Sequence, residues 1–340
     1  MRRFVLFAVL IAILLTGCSQ IAPKAERVSY TATYLTLFDT LTTIKGFAES
    51  EAEFQAVVQQ IHDELEVYHQ LFDIYNDYDI PNLKTINDSA GIEPVEVDGR
   101  IIDLLLDCKI YYDLTGQRVN AAMGSVLSLW HDARTRGVND PLNAKLPEAN
   151  ALLLAAEHMD LESVVIDKEA STVFITDSEV SLDVGAVAKG WATQRVAENA
   201  PEGLLISVGG NVYATGPKDE TGTPWVVGIQ DPDSSEYLHT IYLSTGSVVT
   251  SGDYQRAYTV AGKSYHHIID PDTLYPSAYW RSVTIVCEDS GLADALSTAL
   301  FVLPQEEGQA LLDQCGAMAL WVCMDGTILY SPSFETLIRT

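Results

Sequence analysis

Short apolar, β-prone runs share the carboxy-terminal half of this chain with only two marked helical segments, and that mixture constrains the fold more than any other feature. Leu204–Val208, Trp225–Gln230 and residues 240–243, 247–250, 257–260 and 283–286 are strand-like, bounded by Gly, Pro, Asn, Asp or Ser. Residues 187–199 and 292–302 carry helical periodicity instead. Asp325-Gly326 turns a last hairpin, from Met318–Cys323 to residues 327–330.

The amino-terminal half adds to the same picture. Residues 29–37 and 42–47 alternate apolar and β-prone side chains, which predicts two strands joined through Phe38-Asp39-Thr40. Glu51–Phe72 sets Phe54, Val57, Val58, Ile61, Leu65, Tyr68 and Phe72 on one face of a long amphipathic helix. Residues 73–91 are rich in Asn and Asp, so they form a loop with at most a short helical piece, either a lid or a packed Ω-loop carrying Tyr75 and Tyr78. Asp98 caps a helix to about Thr115, residues 120–134 form another, and a third begins near Pro147 within 141–158. Residues 163–167 and 172–176 make a hairpin over 168–171. With no fixed-period repeat and no linker rich in Pro, Gly or Ser, residues 29–340 are expected to be one α+β unit.

The chain opens MRRFVLFAVLIAILLTGCSQ. Two arginines precede an apolar run, Phe4 to Leu15, that is short against the ~20 residues of a membrane span. The small residues before Cys18 resemble a lipobox, the cleavage and lipidation site of bacterial lipoproteins. Residues 1–17 are thus expected to be a signal peptide, Cys18 the lipidated residue and 18–28 a tether, with the folded part held outside the cytoplasmic membrane. An uncleaved amino-terminal anchor is the alternative. The net charge of −27 becomes more negative once Arg2 and Arg3 are removed, and such a surface excludes nucleic acid as a partner. Cys108, Cys287, Cys315 and Cys323 form no CxxC, so zinc is unsupported and buried free thiols are expected.

Four stretches carry residues suited to chemistry. In Ser181–Trp191, SLDVGAVAKGW, a strand ending at Asp183 meets Gly185 and a helix with Lys189 in its first turns. Backbone N–H groups, a helix amino terminus and a lysine then surround one point, an environment for phosphate, unless this is a plain turn with a surface lysine. In LLISVGGNVYATG, from Leu204 to Gly216, paired glycines permit close approach of a second backbone or a flat ligand. Asp294 and Thr298 lie four apart, so they share a helix face and can hold Mg²⁺, though the aspartate can equally bond backbone or Thr298 alone. The fourth stretch, residues 251–276, contains Tyr254, Arg256, His266, His267 and Asp270. A histidine near a strand end and a turn can move a proton or meet a phosphate, while a His pair in a strand can also be packing.

In their order and wording SLDVGAVAKGWA, SVGGNVYATG, SGDYQRAY, YHHIIDP and LADALSTAL resemble the ApbE family of flavin transferases, from Phe38 to the end of the chain. The resemblance implies a single T-fold-related domain of mixed or antiparallel sheets flanked by helices. It implies a transferase that cleaves FAD, leaves FMN on a Thr or Ser hydroxyl of a partner flavoprotein and releases AMP. The partner would be a flavoprotein of the Rnf or Nqr type or another FMN-binding domain. It places metal ligands for Mg²⁺ on Asp294, Thr298 and the carbonyl of Ala186. It places FAD contacts on Phe38, Tyr75, Ala121, Ala122, Met123, Asp183, Lys189 and Ile268, and catalysis on His267, with Asp270 as the other candidate base. An FAD pyrophosphatase and a non-catalytic FAD-binding lipoprotein are the alternatives. The chain departs from the family's DPxTGYP turn by placing Leu274 at the glycine, which predicts a turn of another shape.

Overall fold

The computed structural model describes residues 27–339. The leader, Cys18 and all but the end of the tether lie outside the described residues. An eight-stranded sheet runs in the order Val28–Tyr34, Thr42–Ala48, Leu204–Val208, Asn211–Ala214, Gly246–Gly252, Trp280–Cys287, Met318–Cys323 and Ile328–Tyr330. Every neighbouring pair in it is antiparallel.

Side chains alternate across a strand, and here that alternation divides the interior into two cores. Val249 pairs with Ile285, and both face the larger core, built with helices Glu51–Phe72, Ala188–Asn199 and Ser290–Phe301. The next pair along, Val248 with Val286, faces the opposite side. There the hairpin of Trp225–Gln230 and Tyr237–Leu243, together with Phe334, covers the sheet. A third cluster gathers Trp130 of helix Gly124–Asn139, Leu152 of helix Ala149–Ala156, Tyr258 and Leu274.

Helix Glu51–Phe72 occupies the predicted residues, capped by Ser50 Oγ, which accepts from Glu53 N at 3.2 Å. The next two elements depart from expectation. Helix Gly124–Asn139 starts after residue 120 because Asn120–Met123 is a turn. Asn120 Oδ1 accepts from Ala122 N at 2.8 Å, and the Asn120 amide donates to Met159 O at 2.8 Å. No strand ends at Asp183, since residues 181–185 instead run along that turn. Asp183 N donates to Ala121 O at 2.8 Å and Gly124 N to Ser181 O at 2.9 Å. The cysteines are free as expected, but only Cys108 is buried, the other three described ones being partly exposed.

Leu274 is a further correction. The turn keeps the left-handed backbone, with Leu274 at φ 62°. Its N–H donates to Asp270 O at 2.8 Å, its carbonyl accepts from Trp130 Nε1 at 3.0 Å, and its side chain is buried in the third cluster. The packing outweighs a backbone cost of roughly 1–2 kcal/mol for a non-glycine residue. Leu274→Gly should therefore destabilise the protein, by about 2 kcal/mol, because losing the buried side chain exceeds the strain relieved. Thermal denaturation checks the sign. A rise in melting temperature would mean that strain dominates.

Candidate active site

Two helices meet where the acidic and basic residues of the site come together. Asp294 sits in the second turn of Ser290–Phe301, a helix capped by Asp289, whose Oδ1 accepts from Leu292 N at 2.7 Å. Asp294 is 4% exposed, so its carboxylate must be compensated by donors or cations. Oδ2 accepts from Gly190 N at 2.8 Å and from Lys189 Nζ at 3.4 Å. Both bonds come from the first turn of Ala188–Asn199. They form because Gly190 lacks a side chain: a Cβ there would lie 2.3 Å from Ser290 O and 2.5 Å from Asp294 Cβ. Lys189 Nζ also approaches Gly185 O at 3.5 Å.

Asp294, Thr298, Ala186 and Lys189 line one cavity of about 270 Å³. A carboxylate whose two donors share one oxygen, a hydroxyl one turn further on and a carbonyl-bearing loop make a set of hard oxygens, and the set fits Mg²⁺. Beneath it, Ser251 Oγ lies 2.8 Å from Ser297 Oγ, which donates to Asp294 O at 2.9 Å, tying the helix to strand Gly246–Gly252.

His267 and Ile268 form another part of the wall. His267 Nδ1 lies 3.2 Å from Gln255 O, a contact that needs the proton on Nδ1 and leaves Nε2 as an acceptor. The ring opens to the cavity, but the protein packed around it, followed by Arg256, His266 and Lys189, pushes its pKa below the ordinary imidazole value. His266 is buried and committed on both nitrogens, with Nε2 2.8 Å from Ser277 O and Nδ1 accepting from Ile268 N at 3.2 Å. Asp270 does not reach the cavity. Its carboxylate accepts from Asp272 N at 2.9 Å and Thr273 Oγ1 at 3.3 Å, and it stands 3.8 Å from Arg118, which does line the cavity. Its place is behind Arg118, as part of the turn.

The remaining expected contacts divide. Tyr75, Met123 and Asp183 line the cavity. Tyr75 is 55% exposed and is presented by an ordered loop, in which Asp73 Oδ1 accepts from Tyr75 N at 2.6 Å and Asp73 Oδ2 from Tyr78 OH at 3.0 Å. Desolvation and the nearby Asp183 push the Tyr75 hydroxyl up to about 12, so it is a neutral donor at physiological pH. Asp183 has its pKa raised by desolvation, against the opposing pull of the Gly185 N–H, His131 and Arg256. Phe38, Ala121 and Ala122 are not in the wall. Phe38, at φ 53°, packs edge-on against His69 while its neighbours Asp39 and Thr40 line the cavity. Ala121 acts through its carbonyl, which holds Asp183 N.

Sequence reasoning missed one side of the cavity. Leu127, Trp130, His131 and Arg134 follow the i, i+3, i+4, i+7 rule, and that face of Gly124–Asn139 lines it. His131 stacks on Tyr75 at 5.0 Å, and Arg134 comes within 3.4 Å of His131 Nδ1. The mixture of aromatic and basic residues on an otherwise apolar stripe was the signal that could have found it. Asn211, which follows the paired glycines, also lines the cavity.

Comparison with known proteins agrees with this geometry. The chain matches the model of the ApbE family over residues 36–321. It is 29% identical to the FAD:protein FMN transferase of Treponema pallidum, across 96% of this chain and 93% of that one. It is 33% identical to an FAD:protein FMN transferase of Klebsiella pneumoniae, across 67% and 70%. The crystal structure of the ApbE protein of Thermotoga maritima superposes with a TM-score of 0.80 at 30% identity, covering 93% of this chain and 100% of that one. The flavinyl transferase ApbE of Pseudomonas stutzeri, at 20% identity and a TM-score of 0.75, shares the fold over 93% of this chain and 98% of its own. With its eight-stranded antiparallel sheet, one cavity shared by the five motifs and this match along its length, the chain belongs to the ApbE family.

Proposed function

We propose that the protein is an Mg²⁺-dependent FAD:protein FMN transferase, which moves FMN from FAD onto a Thr or Ser hydroxyl of a partner flavoprotein and releases AMP. One observation carries this reading: hard-oxygen metal ligands, a lysine and a neutral histidine converge on a single cavity. The names of its relatives support it.

Phosphoryl transfer depends on positioning and charge neutralisation more than on covalent help. Asp294, Thr298 and the Ala186 carbonyl would hold Mg²⁺, which supplies Lewis-acid neutralisation of phosphate charge. Lys189 sits within reach of the same point and adds positive potential to a chain of net charge −27. The acceptor hydroxyl oxygen bonds to the FMN-side phosphorus, the bond to the bridging oxygen breaks, and AMP departs with that oxygen. His267 Nε2, unprotonated because Nδ1 faces Gln255 O, takes the hydroxyl proton. Tyr75 and His131 offer a stacked aromatic surface for a flat ring.

The depressed pKa of His267 sets a pH dependence. Its base form persists below the ordinary imidazole value, so the acid limb of kcat/KM should fall on the acid side of that value. Stability weakens on the same acid side. Unfolding restores the higher pKa, so the unfolded chain binds the proton more readily and stability falls as pH drops through the ordinary value. His267→Gln should flatten the acid limb, and an unchanged limb would assign the base elsewhere.

The leader and lipobox-like Cys18 support an extracytoplasmic, lipid-anchored location at the cell membrane, facing acceptors such as Rnf- or Nqr-type flavoproteins. Among the described residues no helix is long and apolar enough to cross a membrane. The deciding experiment incubates the protein with FAD, Mg²⁺ and a candidate FMN-binding domain and measures acceptor mass. A gain of one FMN supports transfer. Free FMN without acceptor gain makes the protein an FAD pyrophosphatase, and intact FAD makes it a binder.

A further inference from the structure

Asn211 opens the strand Asn211–Ala214, directly after the Gly209-Gly210 turn, whose φ values of 58° and 93° suit a tight hairpin. Gly209 is pressed against Thr40, where a Cβ would lie 2.7 Å from Thr40 Cγ2. Register therefore fixes Asn211: it pairs with Val208, which pairs with Thr42, and Val208 faces the larger, helix-covered core. The residue lines the cavity, is 2% exposed, and its side-chain Nδ2 has no hydrogen-bond partner. A buried amide left in this way destabilises the fold. An apolar residue at the same place would spare the fold that cost, so the carboxamide is explained by a group that enters the cavity and accepts its hydrogen bond.

We infer that Asn211 is a substrate-binding residue that donates to a phosphoryl oxygen of the dinucleotide, an inference that rests on the flavin-transferase reading above. Its placement selects the phosphate over the flavin ring. Strand Asn211–Ala214 packs against both helices that carry Lys189, Asp294 and Thr298, and it pairs with strand Gly246–Gly252, whose Thr250 and Ser251 line the cavity and whose Ser251 is hydrogen-bonded to Ser297 below Asp294. The stacked Tyr75 and His131 belong instead to a loop and to helix Gly124–Asn139. A neutral donor suits a phosphate oxygen, since it adds a hydrogen bond without adding a second cation to compete for Asp294.

The test compares wild type with Asn211→Leu and Asn211→Ala by titrating FAD, ADP and riboflavin, with melting temperature measured in parallel. FAD and ADP should each bind about 10-fold more weakly to Asn211→Leu, the loss of one good hydrogen bond. Riboflavin should bind unchanged, and the ligand-free variant should melt no lower than wild type because an unpaired polar burial has gone. Equal weakening of all three ligands, or of riboflavin alone, overturns the phosphate assignment. Unchanged FAD and ADP affinity overturns the site altogether, and Asn211→Ala decides the same point should the leucine variant not fold. Failure of wild type to bind FAD or ADP overturns the flavin reading itself, an outcome separate from the other two.

Discussion

Asp294→Ala is expected to lower acceptor labelling by at least ~10³-fold while FAD still binds, because the metal's contribution to transition-state charge is worth several kcal/mol. Asp294 supplies the only carboxylate among the three residues proposed to hold the metal, and it is almost fully buried. Removing it also strips Gly190 N–H and Lys189 Nζ of their acceptor. Asp294→Asn separates these effects: the amide oxygen can still accept from Gly190, whereas the charge that attracts the cation is gone. Both variants should lose labelling, with the asparagine variant keeping more of its melting temperature. Stripping divalent cations from wild type with a chelator should reproduce the same loss, reversed by added Mg²⁺. Labelling that persists in Asp294→Asn at wild-type rates would place the metal on other ligands.

Gly190→Ala is the second large effect, and it acts without touching a ligand atom. A methyl group at 190 would collide with the Ser290 carbonyl and the Asp294 Cβ, both of them backbone or stem atoms that cannot swing aside. The helices Ala188–Asn199 and Ser290–Phe301 would have to separate, at a cost of roughly 1–3 kcal/mol or more for overpacking. Melting should fall by on the order of 5 °C. Affinity for Mg²⁺, measured by titration, should fall too, because Asp294 would part from the Gly190 amide and from the lysine beside it. A variant with wild-type melting and metal affinity would show that the helix contact is slack.

Much of this layout was legible in the sequence where one local rule dominated. Glu51–Phe72 declared itself by its apolar face, and Leu204–Val208 and Trp225–Gln230 by β-prone runs with clear bounds. Helix Gln305–Cys315 was not legible, since it buries little more than Gly308, Leu311 and Leu312 and reads as polar. Strands Asn211–Ala214 and Lys263–Tyr265 are too short to establish a period and owe their existence to their partners. The i, i+4 spacing of Asp294 and Thr298 announced a shared face, but not that Lys189 would come up against it, because helix contact depends on tertiary approach at Gly190. Leu274 misled for a related reason: backbone preference argued for a different turn, and side-chain burial overrode it. Asp270 was read from its place beside His267, yet the turn claims its carboxylate.

The alternation of Val248 and Val249 along one strand has a consequence for how such a protein can change. The helices that carry Lys189 and Asp294 cover one side, while the hairpin Trp225–Gln230 with Tyr237–Leu243 and the carboxy-terminal Phe334 insulate the reverse. The sheet is thus a partition as well as a scaffold. A substitution confined to the rear layer therefore acts on stability from across the sheet from Asp294 and Lys189.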